Sequence, residues 1–413
     1  MRIVLYTMSM EQGGAQRVAG LLARGLAKQD IDVVLVLDRA IGPFLKQISK
    51  QIRIFDLKLP SSSLGFYGSL NYFLNKHCYH FDLNILSKLC FLIRQYSGVT
   101  HTKWLRYLSY YVFRAIKLSD YLRLLRPNAI ISMLTEWNIT ALLTKLFLDN
   151  NIKYIISEHT YLPIRIQYHP IGELVILLVK WFYPKADKIV TVSYELEESL
   201  KNFLSIPKEK IKTIYNPVVT PELFEQAKQP VSCSWFEQNQ LPVILAVGRL
   251  SPEKDYPTLF RAFSLVRQIR PAKLLILGEG EERANLERLA IELGIQNDVS
   301  MPGFVDNPFA FMAKASVFVL SSAWEALPTV LVEALACGCP VVATDCRSGP
   351  REILDNGRYG HLVPVGDHEA LAKAILETLD NPDFPADRQT RLQRAMEFSV
   401  DAAVDKYLKV LLD

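Results

Sequence analysis

The 413-residue chain is 50% apolar and 22% charged, which excludes a disordered or fibrous protein, and it is longer than one ordinary hydrophobic core supports. Two domains of roughly 200 residues each are therefore expected. The formal net charge of +4 conceals an asymmetry, because residues 1–217 hold 28 Lys and Arg against 16 Asp and Glu, and residues 218–413 hold 19 against 27.

A front half of +12 on a nearly neutral whole suggests an anionic partner for that half. No uninterrupted apolar run reaches the roughly 18 residues required of a membrane span. The closest, 174–179, is ended by Lys180. The opening MRIVLYTMSM reads as a strand and not as a signal sequence. Six Cys, at positions 78, 90, 233, 337, 339 and 346, have neither CxxC nor zinc spacing and read as reduced cytoplasmic thiols.

In chain order, short apolar runs at 3–7, 33–37, 52–57, 129–133, 154–157, 189–193 and 211–215 read as buried strands, most of them separated by helical patterns. That alternation predicts a parallel sheet with helices on both faces. A polar, Pro-bearing link near 216–240 follows, and the pattern then restarts with strands at 243–247, 274–277, 317–320, 341–344 and 362–365. Residues 398–412 read as a final helix. The predicted fold class is α/β, with two Rossmann-like doubly wound domains facing across a cleft. Their boundaries are placed at 1–217 and 218–395, with a terminal helical segment at 396–413.

In such sheets ligands collect outside the carboxyl ends of the strands, and the loops there carry chemistry. Glu11, Gln12, Gly13, Gly14, Ala15, Gln16 and Arg17 follow the first strand. Paired glycines at that point let backbone approach a phosphate, or simply form a tight turn. The string is not GxGxxG, which disfavours a dinucleotide. Ser157, Glu158 and His159 close a later strand, placing a carboxylate and an imidazole where they can handle a proton or orient a hydroxyl. A structural role is the commoner one for a lone His.

In the second half, Gly248, Arg249 and, five residues on, Lys254 follow the strand at 243–247. Two fixed cations there can neutralise a leaving diphosphate, or be ordinary surface charges. Gly278-Glu279-Gly280 follows the next strand, and Gly303-Phe304-Val305 lies further on. The richest stretch is SSAWEALPTVLVEALACG, residues 321–338. Pro328 suits the first position of a helix, whose apolar face would be Val330, Leu331, Ala334 and Leu335. Gly338 stops that helix and Pro340 prevents its continuation. Glu325 falls in the loop before it and Glu333 in its second turn, with open N–H groups between them that favour a phosphate. Two acids so placed also fit a simple dipole-offsetting and solvated role.

Glu325 and Glu333 with seven residues between them, in a strand–loop–helix setting that ends Ala336-Cys337-Gly338, resemble the signature of glycosyltransferase family 4, a retaining family with the GT-B fold. The Gly248–Lys254 string and the Gly13–Arg17 loop resemble the same family. The resemblance implies that Glu325 faces the donor sugar, Glu333 the nucleotide ribose, and that Leu327, Thr329 and Val330 line the donor between them. It implies that Arg249 and Lys254 neutralise the diphosphate, that Gly13, Gly14, Arg17 and Gly248 close on it, and that Gly278, Gly280, Phe304 and Val305 lie under the base. His159, with Glu158, is implied beside donor sugar and acceptor, which makes the candidate catalytic set Arg249, Lys254, Glu325, His159 and Glu158. Ala326 stands where the family has Gly, and Pro217 where it has Gly after Asn216. The terminal helix is implied to cross back onto the first domain. With no DxD and no His-rich cluster, metal-independent chemistry without a cofactor is expected, the nucleotide sugar being a substrate.

Residues 60–126 carry no family resemblance, yet they hold 14 of the 43 aromatics and nine Lys and Arg against two Asp. At 100° per residue, Lys103, Arg106, Arg114 and Lys117 fall on one stripe with Tyr107, Tyr110 and Tyr121. Leu105, Leu108, Val112, Ala115 and Leu122 fall opposite. A basic, Tyr-bearing face suits an anionic membrane surface, and predicts a peripheral protein at the inner face of the cytoplasmic membrane. The expected function is retaining transfer from a nucleotide sugar, a UDP-sugar, to a glycan or lipid-linked acceptor in cell-surface polysaccharide or glycolipid synthesis, with no nucleic-acid partner. A GT-B nucleotide-sugar epimerase and a non-catalytic scaffold subunit of a glycan assembly complex are the alternatives. A scaffold has no need of Arg249, Lys254, Glu325 and Glu333 together.

Overall fold

The computed structural model describes residues 1–11, 13–59, 101–148, 151–162, 171–236 and 241–413, with the side chains of 101–103, 105 and 106 excepted. Cys78 and Cys90, Gln12 and most of residues 60–126 lie outside the described residues. The chain divides into two compact units. The first comprises 1–191, 200–212 and 409–413, and the second 192–199 and 213–408.

In the first unit the described strands are β1 (Arg2–Thr7), β2 (Asp32–Leu37), β3 (Arg53–Asp56), β4 (Ala129–Met133), β5 (Lys153–Glu158), β6 (Lys188–Thr191) and β7 (Ile211–Thr213). They form one sheet in the order β3-β2-β1-β4-β5-β6-β7, and β3 to β6 pair in parallel. Its helices are α1 (Gly14–Ala27), α2 (His101–Leu125), α3 (Thr135–Leu143), α4 (Gly172–Phe182) and α5 (Tyr194–Leu204), the last shared with the second unit. Residues 3–6 and 34–37 are wholly buried, as central parallel strands covered on both faces must be. The strand order reverses between β1 and β4, so the loops after Thr7 and Met133 open at the switch point.

The second unit repeats the plan with β8 (Val243–Val247), β9 (Lys273–Leu277), β10 (Val299–Gly303), β11 (Val317–Leu320), β12 (Val341–Thr344) and β13 (His361–Val363). All pair in parallel in the order β10-β9-β8-β11-β12-β13. Its helices are α6 (Pro221–Ala227), α7 (Tyr256–Ile269), α8 (Arg283–Glu292), α9 (Pro308–Met312), α10 (Thr329–Ala336), α11 (Pro350–Ile353), α12 (His368–Asp380), α13 (Arg388–Met396) and α14 (Val400–Leu412). Thr220, Asp255, Asn307, Asp367 and Asp387 cap five of these by accepting a backbone N–H, the ordinary device for a helix start. In α14, residues up to 408 belong to this unit and 409–412 to the first.

Strand β10 is absent from the sequence reading. It is an edge strand that contains Pro302 and is mostly half-exposed, so it lacks the apolar run by which its neighbours announce themselves. Pro328 also sits one residue earlier than expected, at the cap of α10 instead of its first turn.

The basic stripe on α2 is corrected at Arg114. That side chain is 2% exposed, 2.7 Å from Asp38 at the end of β2, with its guanidinium 4.5 Å from the centroid of Trp137. Tyr107, Tyr110 and Tyr121 pack on the core, Tyr121 donating to the Asp56 carbonyl. Leu108, Val112, Ala115 and Leu122 opposite them are buried as well. At Arg114 and the three Tyr, therefore, this face packs against protein. Lys117 is half-buried, with its ammonium 5.9 Å from the Phe113 ring centroid, and the side chains of Lys103 and Arg106 lie outside the described residues. Among the described residues no helix is long and apolar enough to cross a membrane.

Candidate active site

In the second unit β8 and β11 are neighbours across the switch point, and this brings together two loops far apart in sequence. Ala323 donates its N–H to the Glu253 carbonyl at 2.8 Å, and Ser321 Oγ donates to the Lys254 carbonyl at 2.8 Å. The result is an ion pair: Lys254 Nζ lies 2.5 Å from Glu325 Oε1, with the two side chains 16% and 14% exposed. Ser322 Oγ donates to the same carboxylate oxygen at 2.8 Å. Thr344, at the end of β12, donates to the Ser322 carbonyl at 2.6 Å and steadies the loop from the other side. An ammonium has three N–H donors, so Lys254 can hold Glu325 and still offer two to another anion. Arg249 projects as an exposed cation from the same loop as Lys254.

The glycines of this unit are set by close approach. A Cβ on Gly278 would lie 1.9 Å from the Gly248 carbonyl oxygen, and one on Gly280 would lie 2.2 Å from that of Leu250. Loops after β8, β9 and β10 are thus laid backbone on backbone, with Gly278 N–H bonded to the Gly303 carbonyl at 2.9 Å. Phe304 extends beyond β10 with 48% of its surface exposed, and Val305 beside it is half-buried.

Helix α10 begins after Pro328 without a side-chain cap, unlike the five capped helices of this unit. Leu327 is buried, Thr329 and Val330 are half-buried, and Glu333 is 2% exposed in the second turn. Ser348 supports this entry, donating from Oγ to the Ala326 carbonyl at 2.7 Å. Next to it Gly349, at φ 102, has no room for a Cβ, which would lie 2.5 Å from Pro328 Cδ. Sequence reasoning missed Ser321, Ser322 and Ser348. The first two were in view as the residues before the loop, whereas nothing marks Ser348.

In the first unit, Gly13 precedes α1 with φ 171, an extended conformation that any residue adopts, and Gln16 folds back over it. Gly14 opens the helix, and Arg17 in its first turn is half-buried and donates its N–H to the Gly13 carbonyl at 3.1 Å. At the end of β5, Glu158 is fully buried. Its oxygens accept from Tyr183 OH at 2.5 Å, from Thr135 Oγ1 at 3.0 Å, and from the N–H groups of His159 and Thr160 at 3.1 and 3.0 Å. A carboxylate so fully engaged is an anchor for the strand end, which corrects its assignment as a catalytic group. His159 is half-buried, with Nε2 2.9 Å from Ser157 Oγ and a buried Nδ1 that has no hydrogen-bond partner among the described residues.

Burial pushes the His159 imidazole down to about 4, so it is neutral near pH 7. Its folded value lies below its unfolded value of about 6.5, so the unfolded chain binds the extra proton between the two. The stabilisation is complete above about pH 6.5 and is lost as pH falls toward 4. Urea midpoints of the wild type should therefore fall across that window, and those of His159→Gln should fall less steeply.

Among the described residues no group of three or more His, Cys, Asp or Glu is placed to hold a metal ion. Among the described residues no cysteine forms a disulfide, and burial pushes the Cys339 and Cys346 thiols up to about 12.

Comparison with known proteins agrees with this geometry. The model of the glycosyl transferases group 1 matches residues 233–395, and that of glycosyltransferase family 4 matches residues 87–221, which corrects the expectation that 60–126 lacks family resemblance over its part from 87 on. The chain is 32% identical over 271 residues to the N-acetylgalactosamine-N,N'-diacetylbacillosaminyl-diphospho-undecaprenol 4-alpha-N-acetylgalactosaminyltransferase of Campylobacter jejuni, covering 65% of this chain and 72% of that one. An uncharacterised glycosyltransferase of Methanocaldococcus jannaschii is 29% identical over 339 residues, 73% of this chain and 82% of the other. In fold the chain is similar to sucrose-phosphate synthase from Thermosynechococcus elongatus, with a TM-score of 0.73 at 19% identity over 99% and 98% of the two chains. Anabaena HepE in complex with UDP gives 0.70 at 18% identity over the full length of both. Two parallel doubly wound sheets, the Lys254–Glu325 pair at the switch point of the second, and these matches together make the chain a member of glycosyltransferase family 4, a nucleotide-sugar-dependent enzyme with the GT-B fold.

Proposed function

We propose that the enzyme takes a UDP-sugar and transfers the sugar, with retention at the anomeric carbon, to a glycan or lipid-linked acceptor in cell-surface polysaccharide or glycolipid synthesis. The observation that carries the reading is the Lys254–Glu325 pair, set at the carboxyl ends of β8 and β11 just before the uncapped start of α10. One charge of each sign suits a ligand with two ends: Glu325 accepts from sugar hydroxyls while Lys254 and Arg249 face the diphosphate. Glu333, one turn into α10, takes the ribose. The lipid-linked acceptor is supported by the name of the Campylobacter relative, which acts on a diphospho-undecaprenol substrate. Work at a membrane surface is part of the proposal on that ground alone, since Arg114 withdraws the support expected from α2.

In the reaction the anomeric C–O bond to phosphate breaks, and its electron pair leaves on the diphosphate. The acceptor oxygen bonds the same face of the anomeric carbon, and its proton passes to the departing phosphate. Lys254 and Arg249 stabilise the charge that develops, without a metal. A panel of UDP-, GDP- and ADP-sugars, with and without a diphospho-undecaprenol-linked sugar as acceptor, tests the reading in excess EDTA. Consumption of a UDP-sugar with an α-configured product is expected. A β product, or activity lost in EDTA and restored by Mn²⁺, overturns it. In the same assay Glu333→Gln keeps shape and an acceptor oxygen but removes charge, and should raise the donor KM about tenfold or more with the fold retained.

A further inference from the structure

Helix α10 presents its start and Glu333 to the donor, so whatever fixes its other end also fixes the site. That end closes as a Schellman turn: Gly338 N–H bonds the Leu335 carbonyl at 2.9 Å and Cys339 N–H bonds that of Ala334 at 3.0 Å. Gly338, at φ 73, is required twice, because an added Cβ would also lie 2.7 Å from Arg388 Cγ. Its own carbonyl points out of the turn and is met by Arg391, whose Nε and Nη2 donate to it at 3.1 and 2.9 Å. The remaining arm of the guanidinium, Nη1, donates to the Pro382 carbonyl at 2.8 Å and to that of Ala386 at 2.5 Å.

Arg391 is 4% exposed, and the nearest carboxylate, on Asp383, is 3.8 Å away and mostly in water. The buried cation is therefore held chiefly by carbonyls. It sits in the first turn of its own helix α13, where a positive charge is disfavoured. The compensating partner is the C-terminal, negative end of α10. Lysine could not replace it, because only a planar fork reaches Gly338 and the 382–386 turn at once.

We propose that Arg391 is a positioning residue of the donor site, holding α10 at its rear so that Glu333 and the helix start stand at fixed distances from the donor. The eight-residue helix is one rigid rod of about 12 Å, so slack at Gly338 appears undiminished at Thr329. This rests on the donor reading above, and the test separates the two. UDP affinity is measured by calorimetry beside Tm for the wild type and Arg391→Met, with and without millimolar guanidinium chloride and with potassium chloride as the ionic control. Arg391→Met should bind UDP about tenfold or more weakly, and guanidinium but not potassium should restore binding. A folded Arg391→Met with wild-type UDP affinity overturns the assignment. Should Arg391→Met fail to fold, Arg391→Lys carries the test: weakened UDP binding at unchanged Tm supports it, and wild-type binding overturns it. A wild type that binds none of UDP, GDP and ADP overturns the donor reading and this inference with it, which no variant result can mimic.

Discussion

Lys254→Ala lowers turnover by roughly 10²–10³, and Arg249→Ala does the same, the usual loss when one donor to a developing negative charge is removed. The donor KM should move far less, because the leaving diphosphate carries more charge in the transition state than in the bound substrate. The two variants differ in what they leave behind. Arg249 is exposed, so its removal strands no partner. Lys254 is paired at 2.5 Å with a carboxylate that is 14% exposed, and its removal leaves Glu325 with only Ser322 as a neighbouring donor from the loop. Its loss therefore combines a missing cation with a misplaced sugar-binding acid. Lys254→Ala combined with Glu325→Ala should then cost much less than the product of the single effects, since groups that act as a unit are not additive. Steady-state kinetics on the four combinations checks this. Full turnover in both single variants would remove the diphosphate role, and strict multiplicativity would show that the pair is incidental.

Much of the fold was legible because buried parallel strands write themselves as apolar runs. Residues 129–133, 243–247, 317–320 and 341–344 are strands to the residue, all in the middle of their sheets. At the edge the signal fades: β10 carries Pro302 and Ser300, and β3 and β7 are shorter than their apolar runs. The site was legible in its residue types and not in its pairings. Lys254 and Glu325 are both evident, but their contact spans 71 residues and exists because β11 lies beside β8. Glu158 was legible as a carboxylate at a strand end. Its capture by Tyr183, 25 residues on, depends on where α4 packs and left no local trace. The α2 stripe failed for a related reason. A helical wheel separates faces, and it does not say whether water, lipid or another strand covers the polar one.

What covers it at Arg114 is Asp38, just past β2, with Tyr6 of β1 and Trp137 of α3, and the contact predicts a large effect on stability. Asp38 accepts from Arg114 at 2.7 Å, from Tyr6 OH at 2.7 Å and from Trp137 Nε1 at 2.8 Å, with both charged residues under 5% exposed. Asp38→Ala leaves a guanidinium buried without a counter-ion, and Arg114→Met leaves a carboxylate in the same state. Each should cost about 3–5 kcal/mol, the range for breaking a buried pair from one side. Replacing both, as Asp38→Leu with Arg114→Met, removes the desolvation cost along with the attraction and should recover part of that loss, the Tyr6 hydroxyl and Trp137 N–H being left without their acceptor. Recovery is favoured because the pair is imperfect: Arg114 Nε is buried with no acceptor among the described residues. The two-unit chain need not unfold in one step, so the quantity to read is hydrogen-exchange protection of the β1 and β2 amides in urea. UDP binding, assigned to the other unit, should be unchanged in any variant that remains folded. Single losses below about 1 kcal/mol would mean that water reaches the pair.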